Sequence, residues 1–245
     1  MKNLKKIIVG VISLVFLFSI VAQVPAAAAQ VEIQKNEILS TIFTEVLELD
    51  SKFDNTIYLE GDYIALDTNL AIKQGATKTD INLAKSKIDG HNQITEDIST
   101  LQPYVVFDEN GLNFDEESAR KANVSEDLIV TTVKDFELMN SVGILADCKG
   151  KSNFEKTADG FYTYFDSCET ATIITYIQIG AAIASLGLAI AAFIAPPVGL
   201  ATIIAVGLYD IGAIALNLVN IQGCGTWIKW KGTNNPNPFW VGSQC

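Results

Sequence analysis

The stretch ATIITYIQIGAAIASLGLAIAAFIAPPVGLATIIAVGLYDIGAIALNLVN, which runs from Ala171 to Asn220, decides the fold. It holds one charged residue, Asp210, in 50 residues. The pair Pro196–Pro197 divides it, because proline lacks a backbone N–H and its ring clashes with the preceding turn of a helix. We therefore expect a hairpin of two apolar helical arms, Ala171–Ala195 and Val198–Asn220. Each arm is longer than the roughly 20 residues that cross a hydrocarbon layer about 30 Å thick.

The residue types in each arm decide how easily it would enter lipid. The first arm holds seven Ile, two Leu and one Phe, which favour insertion by roughly 3–6 kcal/mol. In the second arm Asp210 lies near the middle, at a cost of roughly 2.5–3.5 kcal/mol. Folding at the proline pair brings Asp210 level with residues 178–185, so Gln178 or Ser185 is its expected partner. The alternative places Asp210 at a wet end of the hairpin or among hydrogen bonds in a soluble core.

Small residues recur at four-residue spacing along the arms: Gly180 and Ala184, Gly187 and Ala191, then Ala201 and Ala205. This spacing lets helix backbones approach closely, which is typical of helix pairs in lipid. A Gly- and Ala-rich hairpin buried inside a water-soluble protein has the same composition. A toxin that inserts from solution needs both states.

The N-terminal segment Met1–Ala29 has the organisation of a secretory signal peptide. Lysines form its charged region, Ile7–Val21 form its apolar region, and small residues ending at Ala29 form its cleavage site. We expect this segment to be removed and the mature protein to be secreted.

Charge divides the mature chain into two parts. The net charge of −11 becomes −14 when the three signal-peptide lysines are lost. Residues 30–147 hold 9 basic and 23 acidic residues, whereas residues 148–245 hold 5 of each. An acidic surface argues against nucleic-acid binding and against polybasic docking on anionic lipid, and it suits solubility. We predict an acidic helical domain over 30–147 and, over 148–245, a hydrophobic hairpin with cysteine-framed flanks.

All four cysteines lie in the second part: Cys148, Cys168, Cys224 and Cys245. An even number in an exported chain favours disulfides, and three pairings are possible. We expect Cys148–Cys168 and Cys224–Cys245, each of which would stabilise the fold by roughly 3 kcal/mol. The alternative links the two flanks and clamps the base of the hairpin. Metal binding is not expected, because there is no Cys-x2-Cys spacing and His91 is the one histidine.

Helical periodicity dominates the rest of the chain. Apolar residues recur every three or four positions over 31–53, and more weakly over 70–88 with a break at Asp89–Gly90. The segment Tyr104–Asp115 predicts a β-hairpin, because Asn110–Gly111 favours the positive φ of a tight turn. The predicted class is mainly α. A helical N-terminal domain with one β-hairpin precedes the hydrophobic helical hairpin, which two small disulfide-closed β-rich segments flank.

Aromatic residues cluster beside the open ends of the hairpin. All three tryptophans, Trp227, Trp230 and Trp240, follow it, and Tyr176 lies in its first arm. Tryptophan and tyrosine prefer the membrane–water boundary, so we expect these rings to be interfacial. The alternative is that they fill the cores of two small disulfide loops.

The sequence carries no catalytic pattern. It has no histidine-based triad, no Walker loop, no dinucleotide fingerprint and no HExxH motif. We therefore expect no enzyme activity and no cofactor.

Three features together carry a family resemblance. They are the signal peptide ending Ala-Ala-Ala-Ala-Gln30, the segment Tyr104-Val-Val-Phe-Asp-Glu-Asn-Gly-Leu-Asn-Phe-Asp115, and the Gly/Ala-rich hairpin with its cysteine-bounded aromatic tail. In these the chain resembles the large secreted bacteriocins of Gram-positive bacilli, of the geobacillin type. The resemblance implies killing of related bacteria through membrane damage.

The preferred interpretation is a secreted antibacterial protein that inserts residues 171–220 into a target bacterial membrane. Pro196–Pro197 would lead, and Asp210 would line a polar seam or act as a proton-sensitive latch. The expected partners are that membrane, a receptor or a producer immunity protein, and further copies assembled in the membrane. One alternative is a cell-envelope protein of the producer, anchored by the two arms, with an immunity, sensing or adhesion role. Another is a soluble extracellular protein whose hairpin is its core.

Overall fold

The computed structural model describes residues 40, 42–44, 46–108, 111–141, 148–231 and 239–245. The predicted signal peptide and most of the helix predicted over 31–53 lie outside these residues. Within that helix, the described positions 40–46 are helical, and Ile42, Phe43 and Val46 are buried.

The described residues form mainly helices, as the sequence predicts, together with small antiparallel sheets. The helices are α1 (Thr68–Lys73), α2 (Lys78–Leu101), α3 (Glu116–Lys121), α4 (Glu126–Ser141), α5 (Ser167–Ile179), α6 (Ile183–Ile194) and α7 (Val198–Val219). The strands are β1 (Ile57–Glu60), β2 (Tyr63–Leu66), β3 (Val105–Asp108), β4 (Gly111–Phe114), β5 (Asn153–Thr157), β6 (Gly160–Phe165), β7 (Thr226–Lys231) and β8 (Phe239–Ser243). Two short 3-10 helices cover Ser51–Phe53 and Gln102–Tyr104.

Helix α2 is the axis of the N-terminal part. It begins with a capping box, in which Thr77 and Asp80 each accept a hydrogen bond from the other's backbone N–H. The Asn92 side chain binds both the N–H and the C=O of Ile64 and so fixes the β1–β2 hairpin on the helix. The predicted break at Asp89–Gly90 is wrong, and α2 continues through it. Glycine inside a helix costs only about 1 kcal/mol, which these tertiary contacts outweigh.

The β-hairpin predicted over 104–115 is confirmed. Strands β3 and β4 pair with Val105 opposite Phe114 and Asp108 opposite Gly111. Its two turn residues, 109 and 110, lie outside the described residues. Asp115 then caps α3 by accepting a hydrogen bond from the Ser118 N–H at 3.0 Å.

The C-terminal part forms one antiparallel sheet in the order β5-β6-β7-β8. Residues of alternate positions point to opposite faces of a strand. One face buries Phe161, Phe165, Ile228 and Trp230 against the helices, and the other face is solvated.

The apolar pair α6–α7 lies between the two parts. Helices α2 and α4 contact it on one side, and strands of the C-terminal sheet contact it on the other. One hydrophobic core runs from Ile42 through this pair to Trp230. The core therefore crosses the predicted division at residue 147, which itself lies in a segment outside the described residues.

Candidate membrane-inserting hairpin

The first arm of the predicted hairpin is not one helix. Helix α5 ends at Ile179, Gly180 adopts a left-handed conformation with φ 66°, and α6 begins at Ile183. The prediction of a continuous arm over Ala171–Ala195 is therefore wrong. With 12 residues, α6 alone is too short to cross a hydrocarbon layer of about 30 Å.

Side chains from two other helices hold this break. The Tyr209 hydroxyl of α7 donates a hydrogen bond to the Ala181 carbonyl and lies 3.4 Å from the Tyr176 carbonyl. The Asp135 carboxylate of α4 accepts a hydrogen bond from the Ala182 N–H at 3.0 Å. These bonds satisfy backbone groups that a helix end leaves unpaired. The break is therefore stabilised from outside the arm.

The second arm forms α7, the one helix of the described residues that is long and apolar enough to cross a membrane. It has 22 residues and a mean hydropathy of 1.9, and half of its most apolar window is buried. Its helical geometry is interrupted at Gly212, where φ is 78° and ψ is 155°. Before this point Leu208 is fully buried, whereas beyond it Ile214 is 81% exposed.

Small residues bring α6 close to both α2 and α7. A Cβ atom on Gly187 would lie 2.3 Å from Ile98 Cδ1 of α2 and 3.9 Å from Ala205 Cβ of α7. Gly187 therefore lies where three helices meet. The other predicted positions have separate surroundings: Ala191 is buried, Ala184 is half-buried, and Gly180 ends α5.

The proline tip is covered by the N-terminal part. Pro196 is buried and Pro197 is exposed. Gly199 packs so closely on the β1–β2 turn that a Cβ atom there would lie 2.1 Å from the Asp62 carbonyl oxygen. The predicted leading tip is therefore docked on protein in this state, and its role in insertion stays a prediction.

Asp210 does not pair with Gln178 or Ser185, so that expectation is wrong. Its side chain is exposed at an open pocket of about 320 Å³ between residues 46–48, α2, α6 and α7. Glu48 and Lys87 complete the charged rim, above apolar walls from Val46, Leu47, Ile94, Ile183 and Val206. The structure has the predicted alternative, a wet end. Ser185 is instead buried, without a hydrogen-bond partner for its hydroxyl among the described residues.

His91 lines the same pocket at the seam between α2 and α7. It is 4% exposed, and neither ring nitrogen has a well-formed hydrogen bond in the described structure. Burial lowers the pKa of His91 to about 4, although the backbone of Gly199 acts in the opposite direction. One helical turn further on, the Thr95 and Thr202 hydroxyl oxygens lie 3.0 Å apart in a hydrogen bond across the seam. His91 is therefore a neutral group where helix α2 of the N-terminal part contacts helix α7 of the hairpin.

Both expected disulfides are present, Cys148–Cys168 and Cys224–Cys245. They are compatible with an extracellular protein. Next to the first, the buried Glu169 carboxylate accepts hydrogen bonds from the Ser152 hydroxyl and the Asp166 N–H. Burial raises the pKa of Glu169 to about 7. Asp166 also lies near the sulfur atoms of Cys148 and Cys168, but these sulfurs bond each other and offer no thiolate to a metal ion.

The four rings predicted to be interfacial have different surroundings. Trp230 is fully buried and donates a hydrogen bond to the Thr163 hydroxyl at 3.0 Å, and Tyr176 is also fully buried. Trp240 is 55% exposed and Trp227 is half-buried, both on the solvated face of the sheet. Trp230 and Tyr176 thus serve as core residues in this state. An interfacial role in a membrane-bound state stays a prediction for all four.

Sequence reasoning did not anticipate the contacts of Tyr209, Asp135 or His91. A polar residue among apolar neighbours is the signal that could have found two of them. Tyr209 lies within an apolar helix, and Asp135 lies beside Phe136 on the buried face of α4.

No protein-family model matches the chain, and no curated protein or solved structure is significantly similar to it. The resemblance to secreted bacteriocins therefore rests on the sequence features alone. A function has to be argued from the geometry of the hairpin.

Proposed function

We propose that the protein is a secreted antibacterial toxin whose hairpin leaves its protein cover and enters the membrane of a target bacterium. The observation that carries the proposal is helix α7, which combines the length of a membrane span with an apolar end that is already exposed. The two disulfides suit a protein that works outside the producing cell. Killing follows from loss of membrane gradients, without catalysis or a cofactor.

Insertion requires the hairpin to separate from α2 and α4. The polar contacts to be broken are the Thr95–Thr202 hydrogen bond and the bond from Ala182 to Asp135. Release of Ala181 by Tyr209 would then let α5 and α6 join through Gly180 into a longer helix. Gly180 and Gly212 are thus the two positions at which the hairpin changes shape.

A disulfide across the seam tests this proposal. The Thr95 and Thr202 hydroxyl oxygens lie 3.0 Å apart, so the two side chains meet across the seam and a cysteine pair in their place can be tested for cross-linking. We expect the mature Thr95→Cys/Thr202→Cys variant to release no dye from liposomes, and to kill no bacteria, until a reductant opens the new bond. Wild-type protein with the same reductant is the control, because it reports the effect of reducing the native disulfides.

Two outcomes would remove the proposal. One is leakage from the locked variant at the rate of the wild-type protein. The other is a wild-type protein that releases no dye and kills none of a panel of Gram-positive bacteria.

A second candidate is a cell-envelope protein of the producer with an immunity, sensing or adhesion role. The observation that favours it is that α7 alone has spanning length, since a single helix suffices to anchor a protein. Fractionation of the producing culture separates the two candidates. Recovery from the medium supports the toxin, and recovery only with membranes supports the anchored protein.

A further inference from the structure

The last turns of α7 expose three large aliphatic side chains on one face. Ile214 is 81% exposed, Leu218 is 66% exposed and Ile221, just past the helix, is 79% exposed. Their spacing of four and then three residues places them on one side of a helix. We call these three residues the helix-end patch. No other large hydrophobic residue of the described chain is exposed to more than 57%.

The helix-end patch lies in a stretch without charge. Between Asp210 and Lys229 no residue ionises. The described structure thus offers water an apolar face that neither acid nor base interrupts. Apolar faces of this kind mark sites that another surface covers.

Lysines lie at the margin of this face. Gly150 packs so closely on the Cys224 carbonyl that a Cβ atom there would lie 2.3 Å from its oxygen. Lys149 and Lys151, which flank Gly150, are both exposed. Their backbone therefore lies beside the chain segment that leaves α7, and the Lys151 ammonium lies 3.7 Å from the centroid of the Tyr164 ring.

The charges of the molecule are divided unevenly between its N-terminal and C-terminal parts. Residues 148–245 hold five lysines, which lie in 149–156 and 229–231, and five acidic residues, whereas residues 30–147 hold 23 acidic and 9 basic residues. An anionic surface therefore repels the part formed by residues 30–147 and leaves the neutral part, which carries the patch, to approach it.

We propose that the helix-end patch is the surface by which the protein first docks on an anionic lipid bilayer, so that α7 approaches the membrane with its C-terminal end. The inference rests on the proposed function and reverses the expected orientation, in which Pro196–Pro197 leads. That tip is already packed on the β1–β2 turn, whereas the helix-end patch is free to make contact without any unfolding.

The size of the patch favours a bilayer over a second copy of the chain. Three aliphatic side chains expose a few hundred Å² at most, whereas a stable protein interface covers about 800 Å² on each partner. Apolar side chains with lysines at their margin instead match the acyl chains and phosphates of an anionic leaflet.

The test is flotation of the mature protein with phosphatidylglycerol-containing vesicles. We expect the Ile214→Asp/Leu218→Asp variant to lose at least tenfold in vesicle partition. The matched control is Ile72→Asp/Leu83→Asp, which alters side chains that are 55% and 57% exposed on the acidic part and should leave partition unchanged. Lys149→Gln/Lys151→Gln should abolish the preference for anionic over zwitterionic vesicles. Circular dichroism checks that each variant is folded.

Equal partition of the helix-end variant and its parent would overturn the inference. So would equal partition of the parent on zwitterionic vesicles, or a concentration-dependent dimer that the same substitutions dissolve. Failure of the proposed function has a different signature. The Thr95→Cys/Thr202→Cys variant should still bind vesicles while it releases no dye. If the wild-type protein also binds vesicles without releasing dye, the docking surface is retained and the proposed insertion is rejected.

Discussion

At the scale of single residues, two buried titratable groups make the stability of the molecule depend on pH in opposite directions. His91 is the one histidine of the chain, and it is buried between α2 and the hairpin without hydrogen bonds to its ring nitrogens. Glu169 is buried at the start of α5. Burial disfavours the charged form of each.

For His91 we expect stability to be lost as the pH falls. Its pKa is about 4 in the folded protein and 6.5 ordinarily, so between these values the unfolded chain binds more protons. The loss begins near pH 6.5 and approaches about 3 kcal/mol below pH 4. Glu48, Lys87 and Asp210 line the same pocket and are present in both parent and variant.

The measurement is urea denaturation of the mature protein at pH 7 and pH 4.5. A His91→Phe variant keeps an aromatic ring at this position without a titratable group and should lose less stability between these two pH values than the parent. The comparison isolates His91, because the carboxylates of the chain titrate in both proteins. Identical losses in both proteins would show that His91 does not sense the pH.

For Glu169 the sign is reversed. Its pKa is about 7 in the folded protein and 4.5 ordinarily, so the folded state holds the extra proton and stability is lost as the pH rises through this range. A Glu169→Gln variant should therefore gain stability relative to the parent between pH 5 and pH 8, since glutamine also serves in a capping box. The measurement is the denaturant midpoint of the variant and of the parent at pH 5 and at pH 8. A difference between the two proteins that is the same at both pH values would contradict the prediction.

At the scale of elements, two glycines show what the sequence could and could not predict. The apolar character of the two arms and the β3–β4 hairpin follow from local pattern, and the expected disulfide pairing is also present, although the spacing alone left another pairing open. The expected break at Gly90 does not occur, whereas a break occurs at Gly180 inside an arm expected to be continuous. The intrinsic preference of glycine, about 1 kcal/mol against a helix, is the same at both.

The contacts that distinguish these two glycines come from distant parts of the chain. Asn92 fastens α2 to Ile64, whereas Tyr209 and Asp135 occupy the backbone groups beside Gly180. No local pattern reports such partners, because they lie 28 to 47 residues away. For Asp210 the sequence left two environments open, a polar partner in the first arm or a wet end, and the choice between them depends on how the broken arm packs.

Two Gly→Ala substitutions inside helices test how the tip is held. At Gly199 the new Cβ would lie 2.1 Å from the backbone oxygen of Asp62, so we expect a loss of stability of about 1–3 kcal/mol. Gly90→Ala is the matched control, because nothing lies within 4 Å of its added Cβ. It should raise stability by up to about 1 kcal/mol through helix propensity.

The measurement is the shift in denaturation midpoint, followed by the rate of dye release at neutral pH. If the tip must leave Asp62 before insertion, Gly199→Ala should release dye faster than the parent and Gly90→Ala should not. Equal stability of the two variants would show that the close approach at Gly199 is relaxed without cost.

At the scale of the whole molecule, the hairpin is the middle layer of one core. The acidic helices cover one side and the disulfide-framed sheet covers the other. The sequence divides the chain by charge near residue 147. Charged residues indicate which parts of the surface face water, but they do not indicate which apolar faces pack against each other. For this reason the sequence predicts the two parts and not their shared core.

A shared core predicts a single cooperative unfolding transition. All three tryptophans lie in the C-terminal sheet, so their fluorescence reports that part, whereas far-ultraviolet circular dichroism reports mainly the helices. We expect the two signals to give the same urea midpoint. Two separate midpoints would mean that the parts unfold independently and that the contacts of α2 with α6 and α7 contribute little.

The bend at Gly180 also bears on how many times the chain would cross a bilayer, and therefore on which side of it each disulfide-closed loop would lie. If the proposed insertion takes place and α5 and α6 stay separate, the polypeptide would cross a bilayer once, through α7, and its two cysteine-closed loops would finish in opposite compartments. If they fuse, it crosses twice and both loops remain together on the side of arrival. A membrane-impermeant reductant sealed inside vesicles would therefore reduce one disulfide in the first arrangement and neither in the second, so the number of reduced disulfides distinguishes one crossing from two.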